Sequence, residues 1–133
     1  MNTDLSRLGF RNSNCGKRAD IGIFVRSAWE ANYARYLNWL RANTQISGWE
    51  YEKETFEFPG IKRGTRFYTP DFKVLLNDGG YEYHEVKGYM HHKGKTALNR
   101  MAKYHPEIKI VLIQKPEYTA IAKVMKGLIK TWE

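Results

Sequence analysis

Apolar residues recur along the chain with two different periods, and the alternation between those periods predicts a mixed α/β domain. From Ser27 onward, Trp29, Tyr33, Tyr36, Leu37 and Leu40 fall at helical spacing and define one apolar face. Ser27 and Glu30 have the spacing of a capping box, and the helix should end near Asn43, before Ser47-Gly48. The stretch Trp49 to Phe58 alternates in places between large apolar and charged residues and predicts one strand. Pro59-Gly60 and a basic loop, IKRGTR, follow. Asn77-Asp78-Gly79-Gly80 is a strong turn signal, so the segment from Tyr68 to Gly88 predicts a β-hairpin. After a basic connection, YMHHKGK, the run TALNRMAKYH places Leu98, Met101 and Ala102 on one helical face, and Pro106 stops that helix. Ile108 to Ile113 is apolar enough for a buried central strand. Pro116 to Trp132 predicts a last helix, with Tyr118, Ile121, Ala122, Met125, Leu128 and Trp132 on one stripe.

The predicted order is therefore α-β-β-β-α-β-α, with helices packed on a sheet. Before it, residues 1–20 are polar, turn-rich and basic, with Arg7, Arg11, Lys17 and Arg18, and predict a flexible arm. IGIFV, Ile21 to Val25, is a short apolar run suited to one further strand. Residues 21–133 then form a single domain, as expected for a chain of 133 residues.

The hairpin carries residues that its pattern does not explain, since strands disfavour Asp and, less strongly, Glu and Lys. Along its second strand Tyr81, Tyr83, Glu85 and Lys87 share one face, while Glu82, His84 and Val86 share the other. Asp71 lies at the far end of the first strand. A loop centred on Asp78 sets Asp71 opposite Glu85; a loop centred one half-step later sets it opposite Val86, on the wrong face unless a bulge intervenes. The first register makes Asp71 and Glu85 cross-strand neighbours and is the one we favour. Two close carboxylates repel unless a cation lies between them, and oxygen ligands suit a hard ion such as magnesium or manganese. Lys87 beside such an ion could orient water or steady developing charge, which is the chemistry of phosphodiester hydrolysis.

Charge strengthens this direction. The formal net charge is +8, which favours polyanionic partners, nucleic acid first. The lone cysteine, Cys15, forms no internal disulfide and fits a reducing cytosol, and the absence of cysteine pairs argues against a structural zinc knuckle. No signal peptide or membrane span is apparent.

With these residues in view, TPDF and EVK together resemble the PD-(D/E)XK nuclease superfamily, with Pro70-Asp71 as the first half of the motif and Glu85-Val86-Lys87 as the second. The phage endonuclease I family of Holliday-junction resolvases is similar over about Arg26 to Ile113. It shares an R-S-x-x-E helix start (Arg26 to Glu30), a Y-T-P-D-F strand (Tyr68 to Phe72), an E-x-K-G strand end (Glu85 to Gly88) and an H-P-E segment (His105 to Glu107). The hairpin here looks longer than in that family, which bears on substrate choice more than on chemistry.

The resemblance implies a restriction-endonuclease-like core, α-β-β-β-α-β with a C-terminal helix. It implies a magnesium-dependent endodeoxyribonuclease that acts on branched DNA in phage recombination inside a bacterial host cell. In that role Asp71, Glu85 and the Val86 carbonyl hold the metal, Lys87 positions the attacking water, and Glu30 holds a second ion or a water. It also implies a homodimer, with the N-terminal arm and IGIFV crossing to or docking on the partner. Nicking, restriction-like or transposon-end cleavage of linear DNA is an alternative within the class. Outside it stand a nucleic-acid-binding module without turnover and an interaction protein whose charge serves solubility.

Several residues have two readings. Glu30 could cap the helix at the Ser27 N–H, serve the site, or do both. Arg26 could bind phosphate or pair with a nearby acid. Lys62, Arg63 and Arg66 could touch DNA or form a solvated loop. His91 and His92, with Lys93 and Lys95, suit phosphate contact better than a shared metal, because adjacent histidines ligate one ion poorly. Glu82 and His84 face away from Glu85 and are expected to be structural or solvated.

Overall fold

The computed structural model of the chain describes residues 14–90 and 92–133. It is an α/β fold whose elements, in order, are β1 (Gly16–Arg18), β2 (Ile23–Val25), α1 (Ala28–Ala42), β3 (Gly48–Tyr51), β4 (Phe56–Glu57), β5 (Phe67–Tyr68), β6 (Phe72–Leu75), β7 (Tyr81–Val86), α2 (His92–Tyr104), β8 (Ile110–Ile113) and α3 (Lys115–Met125). A mixed four-stranded sheet runs β3-β6-β7-β8. Its first three strands are antiparallel, and β8 lies parallel to β7. Among the described residues no helix is long and apolar enough to cross a membrane.

Alternation along the strands builds a core on each face of the sheet. One face carries Phe72, Val74 and Val86, which pack with Tyr33, Ala34 and Leu37 of α1 and Tyr118 of α3. Trp29 stacks flat on Tyr118 at 4.0 Å, joining the two helices above the sheet. The other face is covered by α2 and by the small β4–β5 hairpin, which bury Phe58, Tyr68, Ala97 and Met101 together. The guanidinium of Arg100 donates to the Thr65 carbonyl, and the His105 ring contacts the Glu57 carbonyl at 2.7 Å. Both bonds tie that hairpin to α2 and its C-terminal end.

The first helix matches its prediction closely. Ser27 is the N-cap and accepts from the Glu30 N–H at 3.1 Å, a cap contributing about 1 kcal/mol, and Asn43 closes the helix. Other elements differ. The strand predicted from Trp49 to Phe58 is two strands, because Glu52 takes a left-handed backbone (φ 46°) and turns the chain away after Tyr51. Phe56 and Glu57 then pair with β5, so the basic IKRGTR loop becomes the tip of a second hairpin. The basic connection before α2 is itself partly helical: α2 begins at His92, and Lys93 and Lys95 are exposed in its first turns. The predicted central strand is an edge strand among the described residues, with only β7 beside it. Its apolar character reflects cover on its faces, by α3 on one and by the α2 layer on the other. The last helix ends at Met125 rather than near Trp132. Turns follow, Leu128 is 56% exposed, and Trp132 folds back towards Tyr118 at 6.0 Å.

Residues 16–18, read from the sequence as part of an arm, form β1 and pair with β2. Residues 1–13 of that arm lie outside the described residues. Ile21 and Ile23 pack on the main core, and Arg18 and Asp20 join a charge cluster with Arg35 and Glu133.

Candidate active site

The site forms where the ends of β6 and β7 meet the first turn of α1. The β6–β7 ladder pairs Phe72 with His84 and Leu75 with Tyr81, so one further step sets Asp71 opposite Glu85. This is the register centred on Asp78. Asp71 and Glu85 are each only 4% exposed, and Glu30 is 7% exposed. Burying three carboxylates is costly unless each is hydrogen-bonded or neutralised.

The fold meets that cost with the same device three times: donors hold one oxygen of each carboxylate. Asp71 Oδ2 accepts from the Val86 N–H at 2.8 Å. Glu85 Oε1 accepts from the Tyr68 hydroxyl at 3.0 Å and from the Asp71 N–H at 3.1 Å. Glu30 Oε1 accepts from the Arg26 N–H and from the Tyr51 hydroxyl, both at 2.9 Å. The capping box is therefore displaced by one residue, because Glu30 reaches the N–H of Arg26 and not that of Ser27.

The second oxygen of each carboxylate meets a cationic side chain. Lys87 Nζ lies 3.5 Å from Glu85 Oε2. The Arg26 guanidinium lies 3.6 Å from Asp71 Oδ1, 3.9 Å from Glu30 Oε2 and 2.5 Å from Glu52. Of the two readings open for Arg26, the structure shows pairing with acids. Arg26, Glu30, Asp71, Glu85 and Lys87 line an open cleft of about 220 Å³, which Gly94, Ala97 and Leu98 of α2 also line. Gly94 keeps the α2 lining low: a Cβ there would approach the Met90 sulfur to 3.2 Å and the Lys87 side chain to 3.8 Å.

Electrostatics show how incomplete the neutralisation is. Burial raises the Asp71 carboxyl well above its ordinary range, and Glu85 and Glu30 push it further; the Val86 N–H and Lys87 oppose this only in part. Burial also raises Glu85, against the pull of Lys87 and Tyr68. Burial works against the Arg26 charge, but the bond to Glu52 and the field of Glu30 more than offset it, so Arg26 stays cationic. The Tyr68 and Tyr51 hydroxyls are raised by burial and by the carboxylates they bind, which keeps both as donors.

The donor chemistry fits a hard cation. Asp71 and Glu85 offer carboxylate oxygens from the ends of adjacent strands, and both line the cleft. The Val86 carbonyl lies on the strand edge that its N–H shows to face Asp71. Among the described residues no three His, Cys, Asp or Glu side chains close on one point as metal ligands. Magnesium does not require that, since it is ordinarily held by one or two carboxylates together with waters and substrate phosphates.

The remaining predicted residues lie elsewhere. Lys62, Arg63 and Arg66 are exposed on the β4–β5 hairpin, and His92 is exposed with Lys93 and Lys95 at the start of α2. His91 lies outside the described residues. His84 faces away from the cleft, between the Tyr33 hydroxyl at 2.6 Å and Glu82 at 2.9 Å, and burial lowers its pKa despite Glu82.

Three site residues escape a reading of the sequence alone. Tyr68 stands in the sequence only as the start of the Y-T-P-D-F string, and its bond to Glu85 needs the β4–β5 hairpin. Tyr51 and Glu52 reach the site only through the β3–β6 register, which no local signal specifies. Compared with known proteins, the chain matches no family model and no curated protein.

Proposed function

We propose that this chain is a metal-dependent DNA endonuclease of the PD-(D/E)XK class. The observation that carries the reading is the pair of opposed, buried carboxylates, Asp71 and Glu85, each anchored through one oxygen and both lining an open cleft beside Lys87. Burial raises both carboxyls, and Glu85 and Glu30 raise Asp71 further, at the edge of a cleft, the combination that marks a candidate functional site. The order α1, β3, β6, β7, α2, β8 supports the same reading, since it follows the restriction-endonuclease-like core with the β4–β5 hairpin inserted. The net charge of +8 suits a polyanionic substrate.

In this reading Asp71, Glu85 and the Val86 carbonyl hold a magnesium ion, and Glu30 stands by as a further oxygen donor. Bound magnesium supplies Lewis acidity towards the scissile phosphate. The protein does the positioning. Tyr68 and the Asp71 N–H prevent Glu85 from rotating, and the Val86 N–H does the same for Asp71. Lys87, half-exposed at the lip, orients the water whose oxygen bonds to phosphorus as the bond to the leaving sugar oxygen breaks. Arg26 must yield Asp71 to the metal, and Glu52 is placed to retain it.

Branched DNA is the proposed substrate. A four-way junction is two-fold symmetric and needs paired cuts, so that substrate calls for a homodimer. The test is incubation of the purified protein with supercoiled, linear and four-way-junction DNA. Magnesium or manganese should support cleavage, calcium should allow binding without turnover, and light scattering should show a dimer. Full activity in excess chelator would overturn the mechanism. A strict monomer that only nicks linear DNA would overturn the junction substrate alone.

A further inference from the structure

Phe67 is half of β5, is 51% exposed, and lines the same cleft as Asp71, Glu85 and Lys87. A single exposed aromatic residue is ordinary on a protein surface. Three features set this one apart. Its neighbour Tyr68 is buried and holds Glu85, and adjacent strand residues lie about 3.8 Å apart and point to opposite faces. The backbone step that positions the carboxylate therefore also positions the Phe67 ring at the lip of the cleft. The Arg66 guanidinium carbon stands 5.5 Å from the ring centroid, a cation over a π face. The hairpin tip from Ile61 to Phe67 also carries Lys62 and Arg63, both exposed, and no acid.

A flat apolar ring bordered by cations, beside a site built for a phosphodiester, matches a nucleotide's base and its flanking phosphates. Stacking on an aromatic side chain contributes about 1–3 kcal/mol per base and tolerates any base. Bases within a duplex already stack on their neighbours, so only an unpaired nucleotide offers a face to the ring.

We propose that Phe67 is a stacking platform for an unpaired DNA base next to the phosphate at the Asp71–Glu85 cleft, and that it biases the site towards DNA with unstacked nucleotides. This rests on the nuclease reading for the identity of the phosphate site. Arg66 steadies the ring and meets an adjacent phosphate.

The experiment uses the full chain, with calcium in place of magnesium so that DNA is bound and not cut. The probes are two duplexes carrying a fluorescent aminopurine base, unpaired in one and paired in the other. Wild type should quench the unpaired probe on binding. Phe67→Ala should abolish that quenching and weaken binding of the unpaired probe by roughly 5- to 100-fold, with binding of the paired probe changed by less than about twofold. Phe67→Trp should restore both signals, and a melting curve checks that each variant is folded. Equal loss on both probes, or quenching that persists in Phe67→Ala, overturns the proposal. The two readings fail separately. Phe67-dependent quenching without magnesium cleavage removes the nuclease and leaves the stacking site; cleavage with no Phe67 effect on binding does the reverse. Failure to bind either probe overturns the stacking site outright.

Discussion

Two clusters of charge lie along α1, one at its first turn and one around its middle, and they are built on opposite principles. Around Arg35, 6% exposed, the charges balance: Arg35 and Arg18 face Asp20 and Glu133, with Arg35 bonded to Asp20 at 2.7 Å and to Glu133 at 2.9 Å. Asn32 completes it, donating to the Tyr118 hydroxyl and the Glu133 carbonyl and accepting from Arg35 and from the Glu133 N–H. The hydrogen bonds to Arg35 and Arg18 lower the Asp20 and Glu133 carboxyls, so every group is stabilised in its charged form. At the cleft, four acids (Glu30, Glu52, Asp71 and Glu85) face Arg26 and Lys87, and the two most central carboxyls are raised. The balanced cluster fastens β1–β2 and the last residue to α1. The unbalanced one stores repulsion that an added cation would relieve. The direction of the carboxyl shifts, more than burial or bond count, separates the structural cluster from the candidate site.

That contrast can be broken most sharply at the cleft. Asp71→Asn and Glu85→Gln each preserve size and leave an oxygen for the anchoring N–H, and Lys87→Ala removes the lip cation. Each should lower magnesium-dependent cleavage by roughly a hundredfold or more, measured as plasmid nicking by protein shown to be folded. Near wild-type cleavage by Glu85→Gln would remove the site assignment. In the absence of metal, Asp71→Asn should also raise stability at neutral pH, because it deletes a buried carboxylate that repels its neighbours.

The Arg35 cluster should respond in the opposite way. Arg35→Met leaves Asp20 and Glu133 without their buried partner and should cost about 3 kcal/mol in denaturant unfolding. Activity per folded molecule should be unchanged. A loss of cleavage without loss of stability would mean that the two clusters are coupled.

The smallest effect concerns pH, and its sign differs between the clusters. Asp20 and Glu133 are lowered, so their contribution is present above the ordinary carboxylate range and is lost as pH falls through their native values. Asp71 and Glu85 are raised, so their contribution is present below the ordinary carboxylate values and is lost as pH rises through the raised ones. Melting curves of the metal-free protein across acid to neutral pH should show both slopes. Asp71→Asn should flatten the loss on rising pH, Arg35→Met should flatten the loss on falling pH, and magnesium should cancel the first only. A single slope common to both variants would contradict the contrast.

The sequence by itself determined whatever depends on neighbours close along the chain. The α1 cap and its buried stripe follow from Ser27 and helical spacing, and the shared face of Glu85 and Lys87 follows from strand alternation. The Asn77 to Gly80 turn narrowed the hairpin to two registers, and pairing two carboxylates across the strands favoured the one observed. Tertiary structure decided the rest. Glu52 ends β3 through a left-handed backbone (φ 46°) that no local signal specifies, and only the folded chain brings its carboxylate to Arg26. The edge position of β8 is a matter of sheet order, which an apolar run cannot encode. Arg26 had two open partners on paper, and only the folded chain brought Glu30, Glu52 and Asp71 around it. The tyrosine anchors and the Arg35 cluster were illegible for the same physical reason. A hydrogen bond between distant residues leaves no periodic trace in a sequence, and its partners are selected by packing.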